Sequence, residues 1–147
     1  MDGIALLTEE HRKVETLFRQ YKGERDLVRR RDVAEQIMAE LTVHAEMEEA
    51  HFYPAARRAT PGAESLTEES LEEHAKVKQA IGELERLHPE DAAYHPAMER
   101  LEELVQHHVQ EEESELFPKV SEALGAERLE EIGSRMEEMR RATLPRR

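Results

Sequence analysis

No cysteine occurs in the 147 residues. Disulfides, thiolate zinc sites, iron–sulfur clusters and a cysteine nucleophile are therefore excluded. Any metal must be held by nitrogen and oxygen. Tryptophan is also absent and aromatics make up only 4% of the chain, so a core has to be aliphatic. Strand signals are scarce: β-branched alternation is rare, and no Asn-Gly or Asp-Gly dipeptide sits between two such runs. Basic residues are outnumbered, 21 against 34 acidic, for a net charge of -13. A nucleic-acid partner would call for a basic face, so none is expected. A solvated acidic surface accounts for most of the acidity. No apolar run approaches the ~18–20 residues a membrane helix needs. The segment MDGIALLTEE lacks a basic region followed by a long apolar stretch, so a cytoplasmic location is expected.

What is present is charge arranged on a helical period. Charged residues make up 37% of the chain, a composition of long solvated helices. The length suits one domain. Four helical patterns are expected. The first spans about Thr8 to Tyr21, with Leu7, His11, Val14, Phe18 and Tyr21 on one stripe and Gly23 after it. The second starts near Asp32, carries Ile37, Leu41, His44 and Glu48, and should bend at Pro54. The third opens at Ser65-Leu66-Thr67-Glu68, a capping-box pattern, and stops at His88-Pro89. The fourth starts near Pro96 and carries Leu101, Leu104, Val105, His108, Glu112 and Leu116. Beyond Gly125, an amphipathic segment of about Glu127 to Arg140 shows Leu129, Ile132, Met136 and Met139. It is expected to pack outside the bundle or at a protein contact. The predicted fold is all-α, an antiparallel up-down-up-down four-helix bundle with a short additional C-terminal helix. Residues 1–124 form the bundle; residues 125–147 are the C-terminal helix and a frayed tail of the same domain.

The two halves repeat. Glu9-Glu10-His11-Arg12-Lys13-Val14 returns 63 residues later as Glu72-Glu73-His74-Ala75-Lys76-Val77, with only Arg12 and Ala75 differing. His44-x-x-x-Glu48 with Phe52-Tyr53-Pro54 returns 64 residues later as His108-x-x-x-Glu112 with Leu116-Phe117-Pro118. Residues four apart share a helix face, so each His and its Glu point the same way. All six chemistry-bearing residues lie where Leu or Val would otherwise continue the apolar stripe. Buried without partners, they would be very costly. A metal site answers that cost; a fully hydrogen-bonded polar core is the competing account. Imidazole and carboxylate suit iron, zinc, copper or manganese. Four His and two Glu exceed a structural zinc site. Two ions fit better, each taking two His, with Glu48 and Glu112 bridging. A ferritin-like centre would need Glu-x-x-His on two helices, and Glu48-x-x-His51 supplies it only once.

Glu10-His11, His44-x-x-x-Glu48, Glu73-His74 and His108-x-x-x-Glu112, with the two aromatic-Pro turns that follow, resemble the hemerythrin-like HHE cation-binding domain over roughly residues 4–124. The resemblance implies two iron ions, oxo- or hydroxo-bridged, held by His11, His44, Glu48, His74, His108 and Glu112. It implies reactions with dioxygen, peroxide or nitric oxide. Two departures matter. Oxygen-carrying members have a fifth His one turn after the position of His74, where this chain has Lys78. They also use His-x-x-x-x-Asp on the last helix. Fewer protein ligands point to a reactive centre, with peroxide decomposition of a catalase-like or peroxidase-like kind as the leading expectation. An oxygen- or iron-binding sensor or storage module without turnover is the alternative. His51, Tyr53, Lys78 and Tyr21 are candidates to line the pocket or add a ligand.

Overall fold

The computed structural model describes residues 1–144. These residues are helical, with no strand among them. Helix α1 covers Gly3–Gly23, and α2 covers Leu27–Met47. A π-helical turn, Glu48–Phe52, joins α2 directly to α3, Tyr53–Ala59. Helix α4 is Ala63–Glu85. Helix α5, Tyr94–Glu111, runs through a second π turn, Glu112–Leu116, into α6, Phe117–Thr143. The result is four antiparallel rods formed by two hairpins, with a C-terminal extension beyond a break at Gly125. The expected tail residues 145–147 lie outside the described residues.

Helix ends depart from expectation where a local cap extends the helix beyond its apolar stripe. Asp2 accepts the Ala5 N–H at 2.8 Å, so α1 starts five residues before Thr8. Asp26 does the same for Val28, so α2 starts ahead of Asp32. The Ser65–Glu68 capping box is not used, because α4 is already under way from Ala63 after the positive-φ turn at Gly62. Thr67 instead accepts from Arg57 Nε at 2.8 Å. The bend expected at Pro54 is a π turn. Proline has no N–H to give the preceding turn, and the helix widens by one residue just before it. Tyr53 N bonds Glu48 O, and Phe117 N bonds Glu112 O. Both π turns start on the conspicuous Glu, and such turns concentrate at functional sites.

Two apolar clusters fill the bundle. One holds Leu7, Met47, Phe52, Leu116 and Ile132, the other Phe18, Ile37, Leu84, Met98 and Leu101. A layer of polar side chains separates them. The C-terminal part of α6 contributes to the first cluster: Leu129, Ile132 and Met136 are buried in it, and the segment packs on α1 and α2. Its apolar stripe is thus spent inside the molecule rather than offered to a partner. No described helix is long and apolar enough to cross a membrane.

The crossing of α1 over α6 depends on Gly133. A Cβ there would overlap the Met1 carbonyl oxygen and stand 3.0 Å from Gly3 N. Gly133→Ala is expected to cost about 1–3 kcal/mol through overpacking, read as a lower urea midpoint. Gly82→Ala, with only ordinary contacts around its Cβ, should gain roughly 0.5–1 kcal/mol as a helix-interior replacement.

Candidate metal centre

The polar layer is built by one residue or one His–Glu pair from each rod. Helix α1 gives His11, α2 gives His44 with Glu48 at the start of the π turn, α4 gives His74, and α5 gives His108 with Glu112. All six are buried, Glu48 and Glu112 almost completely, at 0% and 1% exposure. The structure gathers them into two triads: His11, His44 and Glu112 in one, Glu48, His74 and His108 in the other, with donor atoms within 4.8 Å of one another in each. Each triad takes two imidazoles from one hairpin and a carboxylate from the other.

The carboxylates lie between the triads. Glu48 Oε1 is 3.3 Å from His44 Nε2 and 3.0 Å from His74 Nε2. Glu112 Oε1 is 3.2 Å from His11 Nε2 and 3.3 Å from His108 Nε2. Each therefore touches an imidazole of both hairpins.

The orientation of the imidazoles has a single cause. Every Nδ1 faces a carboxylate: His11 meets Glu113 at 2.7 Å, His44 meets Glu10 at 2.8 Å, His74 meets Glu49 at 2.8 Å and His108 meets Glu73 at 2.7 Å. A carboxylate can only accept, so Nδ1 donates and Nε2 is turned inward. These four glutamates were not singled out as functional from the sequence. The signal was in the repeat: Glu10 and Glu73 each precede a His, and Glu49 and Glu113 each follow a ligand-candidate Glu. Each reaches a neighbouring rod, a relation that periodicity along one helix does not reveal.

Several inward atoms have no hydrogen-bond partner among the described residues: His11 Nε2, His44 Nε2, Glu48 Oε2 and Glu112 Oε1. They lie close to one another but are not aligned as donor and acceptor. In the second triad His74 Nε2 and His108 Nε2 are 3.2 Å apart, a contact between two like groups unless a proton or a cation sits with them. Orphaned, buried and convergent nitrogen and oxygen atoms are what a cation requires, so the residues fit a metal. Without one, protons do the same work. Burial opposes a charge on the rings of His44, His74 and His108, but the carboxylates overrule it. Glu48 and Glu10 raise His44 to about 10. Glu48 and Glu49 raise His74. Glu112, Glu48 and Glu73 hold His108 well above the ordinary histidine value. Burial would raise Glu48, but His44 and the hydrogen bonds around it keep it well below the usual carboxylate range.

The other candidates from the sequence separate. Tyr53 belongs to the site: its hydroxyl donates to Glu112 Oε2 at 2.6 Å and is 3.2 Å from His74 Nε2. Its own ionisation is pushed well up by burial and by Glu48 and Glu112. Tyr21 does not belong. It sits in the far apolar cluster, beneath the Arg30 guanidinium at 4.7 Å and stacked on His95. It shares the stripe of His11 but lies ten residues on, roughly 15 Å along the helix. Lys78 is exposed and lines a cleft that also reaches His74. His51 is half-buried and joins neither triad. Exposed His107 pairs with Glu73 and Glu111 at 3.3 and 3.1 Å.

The halves also differ. Phe117 stacks on His11 with planes 3° apart, where Tyr53 meets His74 in the other half. Arg12 pairs with Glu15 and Glu113. Arg140, from the C-terminal part of α6, donates to Glu10 at 3.1 Å and Glu40 at 2.7 Å.

Residues 2–120 match the family described as the hemerythrin HHE cation binding domain. A solved structure of a hemerythrin HHE cation binding domain-containing protein from Mycobacterium kansasii superposes with a TM-score of 0.82, covering 99% of this chain and 95% of that one at 23% identity. A curated relative named DNA nickase, from Nostoc sp., is 30% identical over 122 residues, 83% of this chain. The chain spans about a third of that relative's length, 34%.

Thermal melting of chelator-treated protein should carry the signature of these protons. His44 rises from 6.5 to about 10 on folding, so its contribution is full below pH 6.5 and is lost as pH climbs through 10. Glu48, lowered from 4.5, contributes above pH 4.5 and loses that contribution as pH falls. The metal-free chain should thus melt highest between these limits and decline towards pH 10. A melting temperature that rises over that alkaline range would contradict the assignment.

Proposed function

We propose, for a chain that belongs to the hemerythrin HHE cation-binding family, that it holds two iron ions and uses them on dioxygen, peroxide or nitric oxide, with peroxide decomposition as its reaction. The observation that supports this most directly is the paired arrangement of inward imidazole nitrogens with a carboxylate between the triads on each side, several of these buried atoms having no hydrogen-bond partner. His11 and His44 would hold one ion and His74 and His108 the other, with Glu48 and Glu112 shared. When bound, the irons supply one-electron steps and open coordination positions.

The chain's own residues do the rest. The four Nδ1–carboxylate bonds fix which ring nitrogen faces the cation and make it a better donor. The apolar clusters on either side keep bulk water out. The Tyr53 hydroxyl oxygen, which carries a proton, lies 2.6 Å from Glu112 Oε2 and 3.2 Å from His74 Nε2. This hydroxyl is the nearest neutral donor for a small oxygen species brought to that side. Two peroxides in, with two waters and one dioxygen out, leaves no net demand for protons or electrons. A single resident donor that takes back what it gives is then sufficient.

A second reading is an oxygen or iron sensor without turnover. The Arg140–Glu10–His44 chain favours it, because it links the C-terminal part of α6 to a ligand-candidate imidazole. The net charge of -13 argues against a phosphate-backbone partner for this chain.

Anaerobic loading with ferrous iron followed by metal analysis should give two irons per chain. Peroxide should then release dioxygen, measured with an oxygen electrode; iron-loaded protein that releases none rules out peroxide decomposition and leaves the sensor reading. Tyr53→Phe should keep its iron and lose turnover on the order of 10²-fold, a usual size for a positioned proton donor. Glu73→Gln should weaken metal affinity about 10–100-fold with unchanged helicity.

A further inference from the structure

The repeat differs at one position of its first segment, Arg12 against Ala75, and the structure gives that difference a location. By the pseudo-two-fold, the α1–α5 face and the α2–α4 face are equivalent. Both are looser than the faces within each hairpin, and each carries a cleft, of about 590 and 520 Å³ respectively. On the α1–α5 side, Arg12 stretches from its helix to Glu113 on the second π turn and is also held by Glu15. That cleft is lined by Arg12 and Glu113 and includes none of the four site histidines. Phe117 stacks flat on His11 behind it. On the α2–α4 side, Ala75 takes the place of Arg12 and Lys78 that of Glu15. No cation bridges Glu49 among the described residues. Its side chain is 47% exposed, against 27% for its counterpart Glu113. This cleft has Leu41, Leu71 and Ile81 in its walls and reaches His74 itself.

We propose that small molecules reach the centre from one side, through the α2–α4 cleft over Ala75, and that Arg12 closes the equivalent route across α1 and α5. Chemistry is then confined to the His74–His108 half, where Tyr53 supplies a hydroxyl. The half with His11 and His44, backed by Phe117, is the closed side. The occupant is a small diatomic or triatomic species or peroxide. The walls are apolar and the rim mixes Lys78 with Glu46 and Glu49, so larger anions gain little there. The proposal rests on the di-iron reading above.

The test moves the arginine. Ala75 is exposed, so Ala75→Arg has room and sets a guanidinium opposite Glu49 as Arg12 stands opposite Glu113. In iron-loaded protein, the azide on-rate followed by its visible absorption band should fall about tenfold or more in Ala75→Arg. The off-rate should fall in parallel and the equilibrium affinity change by less than about twofold, as expected of a blocked route rather than an altered site. Adding Arg12→Ala to that variant should restore the rate by opening the other face. An on-rate unchanged by Ala75→Arg, or a double variant as slow as the single one, overturns the proposal. A metal-independent readout keeps this separate from the di-iron reading. In chelator-treated protein, hydroxyl-radical labelling mapped by mass spectrometry, which follows solvent access rather than imidazole protonation, should oxidise His74 well ahead of His11, and Ala75→Arg should abolish that preference. Equal labelling of the two in the unaltered chain also overturns it. Failure to bind iron would instead overturn the di-iron reading and leave the labelling result to decide the route.

Discussion

An imidazole tied at Nδ1 to a carboxylate has one nitrogen left to present, and four such ties set the interior of this bundle. Glu10, Glu49, Glu73 and Glu113 each hold a histidine of another rod. Without them the rings could turn, and the four Nε2 atoms would not converge. The same bonds explain how an apolar interior tolerates eight buried histidine and glutamate side chains. Charge-assisted hydrogen bonds offset part of the desolvation, and a shared positive species completes the balance. Without that species the layer holds protons instead, and His44, His74 and His108 are driven towards the charged form.

Much of this was legible in the sequence because the chemistry repeats at fixed offsets. His11 with His74, His44 with His108, and Glu48 with Glu112 can be paired by counting, and helical spacing aims each His and its Glu together. The architecture followed from four apolar periods and short connections. What was not legible lies across rods or at ends. Which carboxylate takes which Nδ1 is decided by inter-helix register. Asp2 and Asp26 extend α1 and α2 beyond the apolar stripe through a single hydrogen bond each. Pro54 signals a disturbance but not its form, and a π turn keeps the helix running where a kink was expected. Tyr21 shows the limit of a stripe argument, since it shares the face of His11 but not its depth along the bundle.

The departures from symmetry are as informative as the repeat. Tyr53 against Phe117 gives one side a proton donor and the other a stacked shield. Arg12 against Ala75 latches one face and leaves the other open. Arg140 adds a cation behind Glu10, whereas Glu73 has exposed His107 behind it. Two otherwise equivalent triads thus sit in unlike surroundings.

The exchange of carboxylates between hairpins has a mechanical side. Each triad takes two imidazoles from one hairpin and its glutamate from the other, beside the stretches where α1 meets α5 and α2 meets α4 only loosely. A cation seated there would be a cross-link between the two hairpins. In a polypeptide without a single cysteine, such a staple would form and release with metal supply rather than with the redox state of a thiol.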